Sequence, residues 1–211
     1  MRFADRTEAG RLLAAQLVGL AGEAPVVLGL PRGGVPVAAE VARALGAPLD
    51  VLIVRKLGCP WQPELGVGAL GEGGVQLLNT RLMAELGVRE SELDETIRRE
   101  QAVIDERVRA YRAGTDAVPI AGRTAIVVDD GLATGFTARA AIEVLRHRGV
   151  GRIVVAVPVA PAETLADLRH LADDVVCLEM PRRFQAIGHH YGDFSQTSDD
   201  EVTRLLAAAD G

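Results

Sequence analysis

The stretch that decides the fold is AIVVDDGLATGFT, residues 125–137. It opens with a short apolar run, which is typical of a strand buried on both faces of a parallel sheet. Two adjacent carboxylates follow, Asp129 and Asp130, and then a loop of small residues that leads into a helix. Such a loop directs backbone N–H groups and hydroxyls toward the N-terminus of the helix, which suits a phosphate. The simpler interpretation makes Asp130 a turn residue and Thr134 a helix cap.

The acidic pair narrows the kind of ligand that suits this stretch. Two carboxylates so close together are costly unless hydroxyl donors or a cation satisfy them. A sugar with vicinal hydroxyls that also carries a phosphate would satisfy both the pair and the loop. We therefore expect a phosphorylated sugar at residues 129–137.

Apolar strands and amphipathic helices alternate along the rest of the chain. The patterns predict strands at 25–30, 49–54, 123–128, 151–160 and 174–180, and helices at 6–20, 35–46, 89–112, 136–149, 161–172 and from about 199. This alternation predicts an α/β fold with a doubly wound, mainly parallel sheet of about five core strands. We expect one domain over 1–211, with its core at about 25–180. Weaker strand candidates lie at 67–70 and 75–79.

Composition limits the classes of function. The 211 residues are 48% hydrophobic and 25% charged, with a formal net charge of −6. Basic residues do not cluster as in nucleic-acid-binding segments, so no nucleic-acid partner is expected. No apolar run reaches the roughly 18 residues that span a bilayer, and the charged N-terminus is unlike a signal peptide. We expect a cytoplasmic protein without a membrane partner, and Cys59 and Cys177 predict neither a zinc site nor a disulfide framework.

Two further loops are predicted at strand ends. PRGG (31–34) follows the first core strand, and Arg55 and Lys56 follow the strand predicted at 49–54. Ligands of parallel sheets bind at the carboxyl ends of strands, near the point where strand order reverses. Lys56 is the only lysine beside 22 arginines, which favours a functional role for it. The alternatives are an ordinary turn at 31–34 and a solvated basic pair.

VVDDGLATGFT (127–137) resembles the phosphoribosyl-diphosphate-binding motif of type I phosphoribosyltransferases. In that family a hydrophobic strand, two acidic residues and a short loop precede T-G-x-T. The resemblance implies that Asp129 and Asp130 bind the ribose 2′- and 3′-hydroxyls. It also implies that the 5′-phosphate is bound by the loop residues Ala133, Thr134, Gly135, Phe136 and Thr137.

The resemblance extends to the other two loops. It implies that Arg32, Gly33, Gly34, Arg55 and Lys56 bind pyrophosphate, in a first loop that often contains a non-proline cis peptide. The cations Arg32, Arg55 and Lys56 are then predicted to be catalytic, because fixed positive charge stabilises a departing polyanion. A Mg²⁺ ion, held mainly by ligand oxygens and water with no firm protein ligand, would complete the charge balance.

The implied activity is transfer of a 5-phosphoribosyl group from phosphoribosyl diphosphate to a nitrogenous acceptor, a purine or pyrimidine base or a related compound, with release of pyrophosphate. The resemblance thus implies a Mg²⁺-dependent enzyme of nucleotide metabolism that forms a homodimer, as relatives commonly do. The family closes a flexible cover over the site to exclude water. Residues 57–75 and 89–112 are the candidates for that cover.

We expect the acceptor to bind beside the C-terminal tail. At Ala133 the loop lacks the aspartate of hypoxanthine- and guanine-type relatives and reads A-T-G as in adenine-type ones. Phe136 departs from both, and we expect its side chain to pack under the helix. We expect residues 181–211, with 1–20, to form a hood in which Phe184 or Tyr191 stacks on a base. His189 or its neighbour His190 would exchange a proton with the base. The alternative is that these side chains only pack the tail onto the sheet.

Two other functions remain open at this point. One is a non-catalytic regulator or sensor that binds phosphoribosyl diphosphate or nucleotides, although the Arg55–Lys56 pair favours retained handling of pyrophosphate. The other is a phosphoaspartate phosphatase. Those enzymes carry their nucleophilic aspartate after the first strand of the sheet, where this chain has PRGG. We therefore favour the phosphoribosyltransferase.

Overall fold

A computed structural model describes residues 2–209. The strands are β1 (Val26–Gly29), β2 (Leu49–Val51), β3 (Val54–Cys59), β4 (Gln62–Gly71), β5 (Val75–Leu78), β6 (Thr124–Val128), β7 (Arg152–Val159) and β8 (Asp174–Glu179). The helices are α1 (Arg6–Leu17), α2 (Gly34–Leu45), α3 (Thr80–Leu86), α4 (Asp94–Arg112), α5 (Phe136–His147), α6 (Ala162–Leu168) and α7 (Asp199–Ala209). Short 3₁₀ segments include Val18–Glu23 and Ile187–His190.

The main sheet is parallel and has five strands in the order β2-β1-β6-β7-β8. Every residue of β1, β2 and β6 is buried, which explains their largely apolar sequences. One face packs against a cluster that includes Leu13 of α1, Val37 of α2 and Val202 of α7. The opposite face packs against α5 and α6. The predicted α/β fold with five core strands is confirmed.

A second, antiparallel sheet was not predicted. It consists of β3, β4 and β5, with β3 beside β4 and β4 beside β5. Its central strand β4 has three glycines in ten residues, and glycine has low strand propensity, which hides the pattern in the sequence. At Gly68 a Cβ atom would lie 2.5 Å from the carbonyl oxygen of Leu77, so the glycine permits the close approach of β4 and β5.

The predicted strand at 49–54 is therefore wrong at its end. β2 stops at Val51, and β3 starts a new sheet at Val54. Arg55 and Lys56 lie inside β3, opposite Leu70 and Ala69 of β4, rather than at the carboxyl end of a parallel strand. Since consecutive strand residues point to opposite faces, the two cations face different neighbours.

Helix α4 is anchored by a buried ion-pair network, although most of its surface is charged. Nε of Arg112 lies 3.0 Å from Asp50 Oδ1, and Nη2 lies 2.8 Å from Glu72 Oε2. Asp50 belongs to β2, and Glu72 follows β4, so one guanidinium joins the two sheets. Glu72 also accepts a hydrogen bond from the amide of Ile53, in the segment between the sheets, at 3.0 Å.

The strand order fixes the place of the site. From β1 the chain moves to β2 at one edge, whereas β6, β7 and β8 continue toward the other edge. The order therefore reverses between β1 and β6. At their carboxyl ends the two strands stay in contact, because the amide of Leu30 donates to the carbonyl of Val128 at 2.9 Å. In open α/β sheets ligands bind at such a point.

Candidate active site

The loops that follow β1 and β6 pack directly on each other. A Cβ atom at Gly33 would lie 2.0 Å from Oδ2 of Asp130, and one at Gly34 would lie 2.8 Å from Cα of Asp129. Neither position has room for a side chain, so PRGG and the acidic pair form one surface. The peptide bond between Pro31 and Arg32 is cis, as the resemblance implied.

The two carboxylates have different environments. Asp129 Oδ1 accepts a hydrogen bond from the Asp130 amide at 2.9 Å. Burial, reinforced by the charge of Asp130, raises the pKa of Asp129 well above its ordinary value of 3.8. Burial also raises the pKa of Asp130, but the guanidinium of Arg6 opposes that rise. The pair therefore needs donors or positive charge to ionise fully.

Hydrogen bonds to neighbouring elements fix the predicted phosphate loop, and several of its residues are exposed. The amide of Leu132 donates to the carbonyl of Val159 at 2.9 Å, and the Thr164 hydroxyl donates to the carbonyl of Ala133 at 2.7 Å. Gly135 has φ 72° and turns the chain into α5, whose first N–H groups lack partners within the helix. Ala133, Thr134 and Thr137 are exposed. The loop can therefore offer N–H groups and hydroxyls to an anion.

Lys56 is the predicted cation that lies beside this loop. Its Nζ lies 4.3 Å from the centroid of the Phe136 ring and donates to the carbonyl of Glu64 at 3.0 Å. Phe136 is 38% exposed at the start of α5, so it lies at the edge of the loop rather than under the helix.

The two predicted arginines face helices. Nη1 of Arg32 lies 3.7 Å from Oδ2 of Asp199 at the start of α7. Nε of Arg55 lies 3.7 Å from Oε2 of Glu100 on α4, on the other face of β3 from Lys56. Each arginine is thus paired with a carboxylate of a neighbouring helix.

Arg6 is a site residue that the sequence reasoning missed. Its Nε and Nη2 each lie 2.8 Å from Oδ2 of Asp130, although the two residues are 124 positions apart. Arg6 stands in the first turn of α1, where the helix dipole opposes a cation. That unfavourable placement is the one signal in the sequence, and it is weak among 22 arginines.

The C-terminal tail lies against the same loops. The Tyr191 hydroxyl donates to the carbonyl of Asp130 at 2.6 Å, and its ring is only 1% exposed, between Phe3 and Phe194. This burial leaves no ring face for an acceptor, and the residue instead supports the acidic pair. At Gly131 a Cβ atom would lie 2.7 Å from Cγ2 of Ile187, so the tail also touches the phosphate loop.

The remaining tail candidates lie farther along the same segment. Phe184 and His190 stack with ring centroids 6.0 Å apart and an interplanar angle of 10°. His189 is exposed, whereas Nδ1 of His190 lies 3.6 Å from Oε2 of Glu179. The histidine that faces inward is therefore His190, and the acceptor roles of Phe184 and His189 stay predictions.

Comparison with known proteins identifies the family of the chain. The profile of the family described as "Phosphoribosyl transferase domain" matches residues 5–192. The chain belongs to that family. The family predicted from residues 127–137, a family of phosphoribosyltransferase enzymes, is confirmed.

Relatives within the family cover the whole chain. Two Mycobacterium tuberculosis proteins, named "Putative phosphoribosyl transferase MT0597" and "Putative phosphoribosyl transferase Rv0571c", are each 50% identical over 207 residues. These residues are 98% of this chain but 47% of each relative, so the chain spans about half the length of these relatives. The crystal structure of TT1426 from Thermus thermophilus is 45% identical, with a TM-score of 0.93 and full coverage of both chains. The AQ2163 protein from Aquifex aeolicus shares the fold at 12% identity and a TM-score of 0.52, over 87% of this chain and 76% of that one.

The carboxylate oxygens of the acidic pair are partly engaged by other protein groups. Within residues 2–209 no group of three or more His, Cys, Asp or Glu side chains could hold a metal ion. At the acidic pair one carboxylate is bonded to a backbone amide and the other to Arg6. Such a set suits Mg²⁺ that arrives on diphosphate oxygens with its water.

Within residues 2–209 no helix is long and apolar enough to cross a membrane.

Proposed function

We propose that the chain is a Mg²⁺-dependent phosphoribosyltransferase. It transfers a 5-phosphoribosyl group from phosphoribosyl diphosphate to a nitrogenous acceptor and releases pyrophosphate. The observation that carries the proposal is the contact of Gly33 with Asp130. This contact supports the proposal because it joins, at the switch point of the sheet, the loops predicted for pyrophosphate, for the ribose hydroxyls and for the 5′-phosphate.

Each loop has a separate task in this proposal. Asp129 and Asp130 accept hydrogen bonds from the ribose hydroxyls, and ionised acceptors make such bonds stronger. The residues from Ala133 to Thr137 bind the 5′-phosphate, helped by the unpaired N–H groups at the start of α5. With both ends of the sugar held, C1 is directed toward the acceptor, which lowers the entropic part of the barrier.

The reaction is a displacement at C1. A nitrogen of the acceptor forms the new bond while the bond from C1 to the pyrophosphate oxygen breaks, with inversion. Negative charge develops on the leaving group, and Lys56 and the backbone at Gly33 and Gly34 would stabilise it. Arg32 and Arg55, now each 3.7 Å from a carboxylate, would exchange that partner for the diphosphate. Bound Mg²⁺ supplies further positive charge at the diphosphate.

The finer assignments belong to the same proposal. A purine or pyrimidine base, or a related compound, would stack on Phe184 in a hood built from residues 181–211 and 1–20 of the one domain, 1–211. His189 or His190 would exchange the proton of the base, and residues 57–75 or 89–112 would cover the site. We also propose a homodimer in the cytoplasm, with a role in nucleotide metabolism and without nucleic-acid or membrane partners.

The test is release of pyrophosphate from phosphoribosyl diphosphate and Mg²⁺ with a panel of purine and pyrimidine bases. The proposal predicts release that depends on one acceptor class and is lost in Lys56→Met. Arg81→Met is a matched control, because Arg81 makes only an exposed pair with Glu85 on α3. Release that is independent of every acceptor, or unchanged in Lys56→Met, would contradict the proposed reaction.

A second candidate is a sensor that binds phosphoribosyl diphosphate or nucleotides without turnover. The observation that favours it is that all three predicted catalytic cations have carboxylate partners. Arg32 pairs with Asp199, Arg55 with Glu100, and Lys56 with Glu64. Tight binding of phosphoribosyl diphosphate without acceptor-dependent release would select the sensor over the enzyme.

A further inference from the structure

The ion pair between Arg6 and Asp130 is more enclosed than a surface salt bridge. Both side chains are nearly buried, with 12% and 11% of their surface exposed. Two guanidinium nitrogens contact a single oxygen, Oδ2 of Asp130, at 2.8 Å each. Gly33 packs against the same oxygen from the other loop. Oδ2 is therefore fixed between Arg6 and Gly33, and Oδ1 is the oxygen that remains for a hydroxyl.

The N-terminal helix holds Arg6 in this place. The Asp5 side chain caps α1 by accepting from the Glu8 amide at 2.8 Å. At Gly10 a Cβ atom would lie 2.8 Å from the carbonyl oxygen of Val37, so α1 lies close on α2. Because α1 is fixed at both its cap and its packed face, the arginine in its first turn has a defined direction.

The tail motif YGDF (191–194) holds Arg6 from the opposite side. The guanidinium carbon lies 4.1 Å from the centroid of the Phe194 ring, which suits a cation–π contact. Nη1 donates to the carbonyl of Ser195 at 2.8 Å. The amide of Asp193 donates to the carbonyl of Ala4 at 2.7 Å, which ties the tail to the start of α1. The motif therefore contacts both partners of the ion pair, because Phe194 packs against the Arg6 guanidinium and the Tyr191 hydroxyl donates to the Asp130 carbonyl.

We propose that Arg6 is a positioning residue that ties Oδ2 of Asp130 and so presents Oδ1, as part of an ionised carboxylate, to a hydroxyl of the bound sugar. The YGDF segment serves as the support that keeps Arg6 in line. This inference rests on the proposed function, because it requires that a sugar binds at Asp130. It explains why the N- and C-terminal segments meet beside that carboxylate. Arg6 acts through Asp130 and does not itself contact the reacting atoms.

The charges around Asp130 set its response to pH. Asp129 lies beside it, the Tyr191 hydroxyl contacts its carbonyl, and Arg6 contacts its carboxylate; Asp193 lies near Arg6 on the far side. Burial raises the pKa of Asp130, and the Arg6 guanidinium is the main group that opposes the rise, with a smaller contribution from the Asp130 amide. Removal of the arginine therefore takes away the main opposition to the effect of burial, so that Asp130 should hold its proton to a higher pH.

The test compares Arg6→Met and Arg6→Lys with Arg2→Met. Arg2 is the matched control, because its Nε donates to the carbonyl of Tyr191 at 3.1 Å, on the same tail segment, without contacting Asp130. The first readout is the ¹³C NMR titration of the Asp130 carboxyl in the ligand-free protein, assigned with Asp130→Asn. The second is the affinity for ribose 5-phosphate between about pH 5.5 and about pH 8.5, a window around neutrality in which a raised carboxyl pKa is visible. Thermal unfolding checks that each variant is folded.

We expect Arg6→Met to raise the Asp130 pKa and to weaken sugar binding about tenfold at the acidic end, with recovery toward alkaline pH. Arg6→Lys should recover most of both properties, and Arg2→Met should match the wild type. An unchanged Asp130 titration in folded Arg6→Met, or a loss of affinity that is equal at every pH, would overturn the inference. If the wild-type protein does not bind ribose 5-phosphate at all, the proposed function fails, and the NMR titration still decides whether Arg6 controls Asp130.

Discussion

The ammonium nitrogen of Lys56 lies 4.3 Å from the centroid of the Phe136 ring, so a cation of the antiparallel sheet rests on the first residue of α5. Gly66 of β4 lies against both side chains, since a Cβ atom at this position would lie 3.4 Å from Cδ of Lys56 and 3.6 Å from Cε1 of Phe136. Phe136 is the position at which the loop departs from the family pattern. Its ring gives the lysine a fixed place beside the phosphate loop.

Replacement of Phe136 by leucine should raise the KM for phosphoribosyl diphosphate by about two- to thirtyfold, because a cation–π contact contributes roughly 0.5–2 kcal/mol. Steady-state kinetics measures this change. Phe136→Tyr keeps the ring and should leave KM near the wild-type value. Equal KM values for Phe136→Leu and Phe136→Tyr would show that the ring does not hold Lys56 for the substrate.

Gly33→Ala should disrupt the site, because the new methyl group would meet Asp130 Oδ2 at 2.0 Å. We expect loss of ribose 5-phosphate binding and a free energy of unfolding lower by about 1–3 kcal/mol. Calorimetry and urea unfolding measure the two effects. Gly22→Ala is the control, since no atom lies within 4 Å of its Cβ position. Normal binding by Gly33→Ala would mean that the loops do not meet as described.

Arg112→Met should lower the free energy of unfolding by about 3–5 kcal/mol, because it removes the ion-pair partner of the buried Asp50 and leaves Glu72 with the more distant Arg148, at 3.9 Å. Urea unfolding monitored by circular dichroism measures the change. Arg81→Met breaks only an exposed pair with Glu85 and should stay within about 1 kcal/mol of the wild type. Similar losses in the two variants would contradict the role of Arg112 in joining the sheets.

Asp129→Asn should increase stability at neutral pH. The pKa of Asp129 is raised in the folded protein above its ordinary value of 3.8, so the folded state binds the proton more tightly than the unfolded state does. Stability of the wild type must then fall as pH rises through the interval between these two pKa values. We expect the variant to be more stable than the wild type by about 1 kcal/mol or more at about pH 7, and the gain to vanish at about pH 3.

Urea unfolding at several pH values measures that difference. Asp116→Asn, at an exposed position in the segment before β6, is the control and should show no such pH dependence. A less stable Asp129→Asn at neutral pH would contradict the description of this carboxylate as destabilised by burial.

The parallel sheet is predictable from the sequence, because β1 and β6 are almost wholly apolar. Short continuous apolar runs of this kind are typical of strands that are buried on both faces of a parallel sheet. Helix ends also have local causes in the sequence, since the Asp5 side chain caps the start of α1 and Gly46, in the αL conformation, ends α2. The antiparallel sheet is harder, because the glycines of β4 replace the β-branched residues that usually reveal strands.

The residues around the acidic pair are only partly predictable. Asp129 and Asp130 belong to a local motif and stand out in the sequence. The contacts of Arg6 and Tyr191 with Asp130 span 124 and 61 positions, so no short pattern contains them. The scarcity of aromatic residues suggests that Tyr191 stacks on a base. In the structure Tyr191 is buried, and its hydroxyl instead donates to the Asp130 carbonyl.

The proposed binding of phosphoribosyl diphosphate at the loops that follow β1 and β6 is measured by calorimetric titration. The wild type and the Asp129→Asn, Asp130→Asn double variant are titrated with phosphoribosyl diphosphate and Mg²⁺. We expect saturable binding to the wild type, and binding weaker by about 100-fold or more in the folded variant, since two hydrogen bonds to charged groups are worth about 1.5–3 kcal/mol each. Equal affinities of the two proteins, or no binding to the wild type, would rule out the proposed site.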